Sequence, residues 1–166
     1  MAAEKPPPRT NRERRTALSH IAYEVAALRG ASQVFAKHRR RLDLEAALVH
    51  ARNLIEFFWA PSPRLSPHPD GVYAVHFVDA GSWKARRSSL PQRPRQRNDA
   101  LCAQLSHISV KRSRRNFTIN FGAGLRQLCA DLDTAWCIFE NELASSTWAS
   151  TLARARARWS RINWDR

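Results

Sequence analysis

Large apolar residues recur at every third or fourth position along several stretches of this chain, and this spacing constrains the fold more than any other feature. An α-helix turns by about 100° per residue, so side chains at this spacing share one face that can be buried. The clearest stretch contains Leu125, Leu128, Leu132, Trp136, Phe139 and Leu143. It predicts a long helix in the core of the protein.

The same spacing predicts four further helices. The first covers residues 18–28, the second covers 44–58, the third follows residue 98 and the last follows residues 145–146. Gly30 either ends the first helix or only weakens it, because glycine is a poor helix former. Asp43 is predicted to cap the second helix, since its side-chain oxygen can accept from the exposed amides of the first turn.

The segments between the second and third helices predict little regular structure. Four prolines between residues 61 and 69 exclude it, and the apolar run 72–78 fits either a strand or a buried turn of helix. Residues 82–97 are basic and polar and are predicted to form an exposed loop. The chain is therefore predicted to be all-α, a four- to five-helix bundle with a long Pro-rich loop between helices two and three.

Basic residues outnumber acidic ones by 28 to 14 in the 166 residues, which gives a net charge of +14. Such a charge attracts polyanions such as nucleic acid or acidic lipid. All but four of the basic residues are arginines, whose planar fork suits phosphate, although a codon bias toward arginine gives the same composition. We predict a disordered basic arm over residues 1–15, a helical domain over 16–145 and a basic amphipathic C-terminal helix over 146–166.

Three cysteines without a Cys-x-x-Cys pair argue against a disulfide framework and against a zinc site. No metal ion and no cofactor is expected, since glycine-rich phosphate loops and nucleophile motifs do not occur in the sequence. No apolar stretch reaches about 18 residues, so no membrane span is predicted. A reducing cytoplasm is the expected location.

The second helix carries the first group of candidate site residues. His50, Asn53 and Phe57 lie on its shoulder, between the apolar face and the solvent-facing side that holds Arg52 and Glu56. The polar pair of His50 and Asn53 fits a hydrogen bond to a neighbouring helix as well as it fits an active site.

Two more histidines lie beside polar partners. His20 and Glu24 are four residues apart on the first helix, where the carboxylate would orient the imidazole for acid/base chemistry or for helix docking. His107 lies near the end of the third helix, and the basic turn after it either holds phosphate or complements the helix dipole. This turn contains Arg112, Arg114 and Arg115.

Arginines also line the polar face of the last predicted helix, at Arg154, Arg158 and Arg161. Three roles fit this helix. Its apolar arc can dock on the bundle, the helix can lie on acidic lipid, or it can stack and pair with RNA.

Three polar segments occur in an order that resembles small bacterial helical proteins of the HEPN superfamily, in the branch associated with abortive phage infection. The segments are 20–24 (HIAYE), 50–58 (HARNLIEFF) and 104–112 (QLSHISVKR), and the resemblance covers residues 18–143. It implies a helical bundle that forms a homodimer, with RNA and an antitoxin-like protein as further partners.

The resemblance also implies a site. Many HEPN proteins are metal-independent ribonucleases with an Arg and a His separated by about four to six residues. No Arg precedes His107 at that spacing, so the chain departs from the nuclease pattern there. The candidate catalytic residues are His107, His50, Arg52 and Asn53, with His107 as the general acid/base and Arg52 or Arg112 stabilising the phosphate charge.

Two hypotheses follow from these patterns. The first is a cytoplasmic HEPN-like protein that acts on RNA or only binds it, in phage defence or in a toxin system. The second is a non-enzymatic helical interaction protein whose basic tails alone contact nucleic acid or acidic surfaces. In the first hypothesis the RNA-binding residues are Arg112, Arg114, Arg115, Arg154, Arg158 and Arg161.

Overall fold

The computed structural model describes residues 10–59, 71–96 and 121–160. All regular structure in these ranges is helical, which confirms the predicted all-α bundle. The helices are α1 (Asn11–His38), α2 (Arg41–Trp59), α3 (Ala80–Ser88), α4 (Phe121–Leu143) and α5 (Ala149–Trp159), with a 3-10 turn at Ala74–His76. Residues 93–96 are also helical. None of the helices in these ranges has both the length and the hydropathy that crossing a membrane requires. The proline-rich segment 61–69 and the helix predicted after residue 98 lie outside the described residues.

Helix α1 begins at Asn11, within the segment 1–15 that composition assigns to a disordered arm. Thr10 and Glu13 form a capping box there. The Thr10 hydroxyl accepts from the Glu13 amide at 3.2 Å, and the Glu13 carboxylate accepts from the Thr10 amide at 2.7 Å. These bonds satisfy two amides that a helix start otherwise leaves exposed. Charge content alone gives no information about such a cap.

Helices α1 and α2 form an antiparallel hairpin with a very short connection. Helix α1 continues through the buried Gly30 and ends where Arg39 adopts a left-handed conformation, with φ of 57°. The Arg39 amide donates to the Phe35 carbonyl at 2.8 Å, which closes the last turn. Helix α2 begins at Arg41, so the prediction of Asp43 as its cap is wrong. Asp43 lies in the first turn and pairs with Arg40 at 3.0 Å.

Helix α4 supplies the centre of the core. The six apolar residues that predicted it are all buried, which confirms the helix and its inward face. Phe139 is in edge-to-face contact with aromatic rings from α2, from α3 and from the residue after the 3-10 turn. These rings are Phe57, Phe58, Trp83 and Phe77.

The exposed loop predicted for residues 82–97 is wrong, since α3 occupies its first part. The Asp79 carboxylate caps this helix by accepting from the Ser82 amide at 2.8 Å. Trp83 is only 1% exposed, and its indole N–H donates to the Phe58 carbonyl at 3.3 Å. A nine-residue helix with one large apolar side chain is too short to show a periodic pattern. Within the run 72–78, Ala74–His76 forms a short 3-10 turn beside the buried Tyr73 and Phe77, which corresponds to the second of the two alternatives.

Helix α5 docks on α1, the first of the three roles predicted for it. Leu152 and Ala155 are buried, and the Trp159 indole N–H donates to the Ser19 carbonyl at 3.0 Å. The Ser146 hydroxyl accepts from the Trp148 amide at 3.1 Å just before α5 begins. Because the end of α5 meets the first half of α1, the arginines of α5 lie next to the α1–α2 hairpin.

Candidate functional site

A polar cluster joins the middle of α1 to the middle of α2. The Glu24 Oε2 atom lies 2.7 Å from His50 Nδ1 and 3.2 Å from Asn53 Nδ2. The Glu24 and His50 side chains are 16% and 17% exposed. The two shoulder residues of α2 that the sequence singled out therefore meet a partly buried carboxylate of the neighbouring helix.

The Glu24 contact fixes the orientation and the tautomer of the His50 ring. A carboxylate oxygen can only accept, so His50 Nδ1 donates to Glu24 and Nε2 is left to take up or deliver a proton. The same carboxylate stabilises the imidazolium that forms when Nε2 takes a proton. The pair is thus arranged for general acid/base chemistry, and it also ties two helices together.

Tyr23 connects this cluster to the end of α5. Its ring meets the His50 ring edge-on, with 5.7 Å between centroids, and the Trp159 ring at 4.9 Å. The Arg158 guanidinium carbon lies 4.8 Å from the centroid of Trp159. Two ring contacts therefore separate an α5 arginine from the imidazole.

Two sequence predictions about this region do not match the structure. The expected pairing of Glu24 with His20 along α1 is wrong, because Glu24 reaches across to α2 and His20 is exposed. Arg52 was predicted to share a site with His50. At about 100° per residue it lies roughly 200° around α2 from His50, so the structure does not bring the two side chains together.

Five of the predicted site residues lie outside the described part of the chain, and their roles stay predictions. They are His107, Arg112, Arg114, Arg115 and Arg161. Arg154 and Arg158 are exposed on α5 as expected. Between them Arg156, which the sequence did not single out, pairs with Glu140 of α4 at 2.9 Å.

The sequence did not identify Glu24 and Tyr23 as neighbours of the His50 and Asn53 pair, nor Trp159 as a residue that contacts Tyr23. A short connection makes the first two helices antiparallel neighbours, so a polar residue in the middle of α1 can face the middle of α2. This is the signal that could have identified the Glu24 carboxylate as the partner of His50. Tyr23 and Trp159 gave no such signal, since no pattern in either helix shows that α5 returns to α1.

No group of three or more His, Cys, Asp or Glu side chains within residues 10–59, 71–96 and 121–160 is arranged to hold a metal ion. No protein-family model, curated protein or solved structure matches this chain.

Proposed function

We propose that this chain is a HEPN-like helical protein that binds RNA and cleaves it by metal-independent acid/base catalysis. His50 is the acid/base group and Glu24 is its positioning residue. The observation that supports this most strongly is the 2.7 Å contact between Glu24 Oε2 and His50 Nδ1, which leaves Nε2 for a substrate.

The resemblance to HEPN proteins supports the same choice of residues. Two of the three segments that carry it, 20–24 and 50–58, meet in the Glu24, His50 and Asn53 cluster. The third segment contains His107, which stays a predicted second acid/base group.

RNA supplies its own nucleophile, the 2′-hydroxyl beside each phosphate. His50 Nε2 takes the hydroxyl proton as the oxygen attacks phosphorus, and the 5′-oxygen leaves with a proton from a second acid or from water. The products are a 2′,3′-cyclic phosphate and a 5′-hydroxyl. Glu24 stabilises the imidazolium, and arginines near the phosphate stabilise the negative charge that develops on it.

The charge distribution favours a polyanionic substrate. The chain carries a net charge of +14, and Arg154 and Arg158 are exposed on the helix that ends beside the cluster. Arginine contacts to phosphates supply most of the non-specific affinity of nucleic-acid-binding proteins.

The test compares wild type, Glu24→Gln and the matched control His20→Gln on end-labelled RNA in EDTA. Wild type is expected to cleave the RNA. Glu24→Gln should bind RNA with unchanged affinity but cleave the bound RNA about tenfold more slowly or worse, because the imidazole loses its orienting carboxylate. His20 is exposed on the same helix, so its variant should match wild type.

A second function is favoured by another property of the same cluster. Glu24 accepts from both His50 and Asn53, and these bonds also hold α1 against α2. In a non-enzymatic interaction protein this would be their only role. Wild type would then bind RNA without cleaving it, and Glu24→Gln would lower only the melting temperature.

A further inference from the structure

A groove of about 430 Å³ lies between α1 and α5, with α4 beneath it. Four alanines form much of its walls: Ala22, Ala26, Ala153 and Ala157. The buried Trp136 of α4 and the partly exposed Trp159 of α5 also line it. Its volume lies within the range of about 300–1,000 Å³ that is typical of small-ligand sites.

The charged groups of the groove are balanced. Arg29 and Arg156 both line it, and each is paired with a carboxylate of α4. Arg29 lies 2.8 Å from Asp133, and Arg156 lies 2.9 Å from Glu140. Their side chains are still 47% and 61% exposed, so each guanidinium keeps N–H donors that a ligand can reach. This environment suits a flat neutral group with acceptor atoms at its edge better than it suits a second anion.

The basic charge lies beside the groove. Arg158 is exposed and packs on the Trp159 ring at 4.8 Å, and Arg154 is exposed one turn earlier on α5. Neither forms an ion pair with a carboxylate within residues 10–59, 71–96 and 121–160. These two arginines therefore attract phosphates to the edge of the groove, beside its aromatic wall.

We infer that this groove receives one base of a single-stranded RNA, stacked on Trp159, while Arg158 and Arg154 contact the adjacent phosphates. The inference depends on the proposed function and names single-stranded RNA as its substrate class. Arg29 and Arg156 donate to acceptors at the edge of the base, and stacking on an aromatic ring is available to every base. Tyr23 contacts both Trp159 and His50, so two ring contacts connect the aromatic wall of the groove to the acid/base cluster.

Filling the groove tests the inference without removing any contact of the folded protein. Ala157 is an exposed wall residue, and Ala157→Leu occupies the space of the base. Ala153→Leu does the same from the neighbouring turn, in case the first variant lowers the melting temperature. Ala36→Leu, at an exposed position of α1 outside the groove, is the control.

The probes are a short labelled single-stranded oligoribonucleotide and an abasic strand of the same length, with binding measured by fluorescence anisotropy. Ala157→Leu is expected to weaken binding of the oligoribonucleotide about tenfold and to leave binding of the abasic strand unchanged. Ala36→Leu should change neither. Unchanged binding of the oligoribonucleotide in both groove variants, or equal weakening of the two probes, overturns the base groove and leaves the proposed function standing. Failure of wild type to bind either probe overturns both.

Discussion

Glu140 and Glu142 are separated by one residue on α4, and their surroundings shift their pKa values in opposite directions. Burial raises the pKa of Glu140, and the nearby Arg156 and Arg29 only partly offset this. Hydrogen bonds from the Ser82 hydroxyl at 2.9 Å and from Arg86 at 2.6 Å lower the pKa of Glu142. The two carboxyls should therefore affect stability with opposite dependence on pH.

For Glu140 the folded state holds its proton more tightly than the unfolded state. Stability is lost as the pH rises from the usual range of a glutamate through the raised pKa, and Glu140→Gln should gain melting temperature relative to wild type over that interval. The lost pair with Arg156 costs little, because that arginine is largely exposed.

Glu142 contributes stability at neutral pH that is lost as the pH falls through its lowered pKa, so Glu142→Gln should be the less stable variant near neutrality. Melting temperatures between about pH 3 and pH 8 measure both effects, and differences of the same sign would contradict the account.

The residue-scale pattern predicted which side chains share a helix shoulder but not which residue lies opposite them. The spacing along α2 placed His50 and Asn53 on the shoulder, where both contact Glu24, but it wrongly placed Phe57 there, since Phe57 is 2% exposed and packs in the core. The spacing along α1 suggested that Glu24 pairs with His20, whereas Glu24 bonds across the hairpin. Periodicity defines a face of one helix, and the partner of that face depends on the register between two helices.

At the scale of elements, long periodic segments were predictable and short ones were not. Helices α2 and α4 were recognised because many buried residues repeat at helical spacing. Helix α3 was not recognised, because a basic segment with a single tryptophan has the same sequence character as an exposed loop. Its stability comes from Trp83 and from the Glu142 bonds to Ser82 and Arg86, which are contacts with other helices.

Truncation of the α3 anchor should therefore have a large effect. Trp83→Ala removes a fully buried indole that packs on Phe58 and Phe139, and we expect it to lower the free energy of unfolding by about 3–5 kcal/mol. Lys84→Ala, at the exposed neighbouring position, should change it by less than about 0.5 kcal/mol. Urea denaturation measures both values. Similar small losses for the two variants would show that α3 is not part of the cooperative fold.

At the scale of the whole molecule, the all-α class followed from the sequence, but the arrangement of the helices did not. Trp159 bonds to the carbonyl of Ser19, 140 residues away in sequence. This contact brings the exposed arginines of α5 beside the α1–α2 hairpin. Amphipathic patterns predict that α5 docks somewhere, and only packing against every other helix decides where.

The position of these arginines predicts how RNA affinity depends on salt. If Arg154 and Arg158 each neutralise one phosphate of a single strand, their joint replacement by glutamine should reduce the slope of log affinity against log salt by about 1.4. Joint replacement of Arg40 and Arg41, at the connection between α1 and α2, removes the same formal charge and serves as the control. Filter binding over a series of salt concentrations gives both slopes. A slope that falls equally in the two double variants would show that α5 has no special part in RNA binding.

The proposed acid/base role of His50 in RNA cleavage is tested most directly by the single-turnover cleavage rate of one labelled RNA in EDTA by wild type, His50→Gln and His20→Gln. We expect His50→Gln to cleave more slowly by a factor of about 10²–10⁴ with unchanged affinity for RNA, and His20→Gln to cleave at the wild-type rate. Equal rates for wild type and His50→Gln would contradict the proposed role.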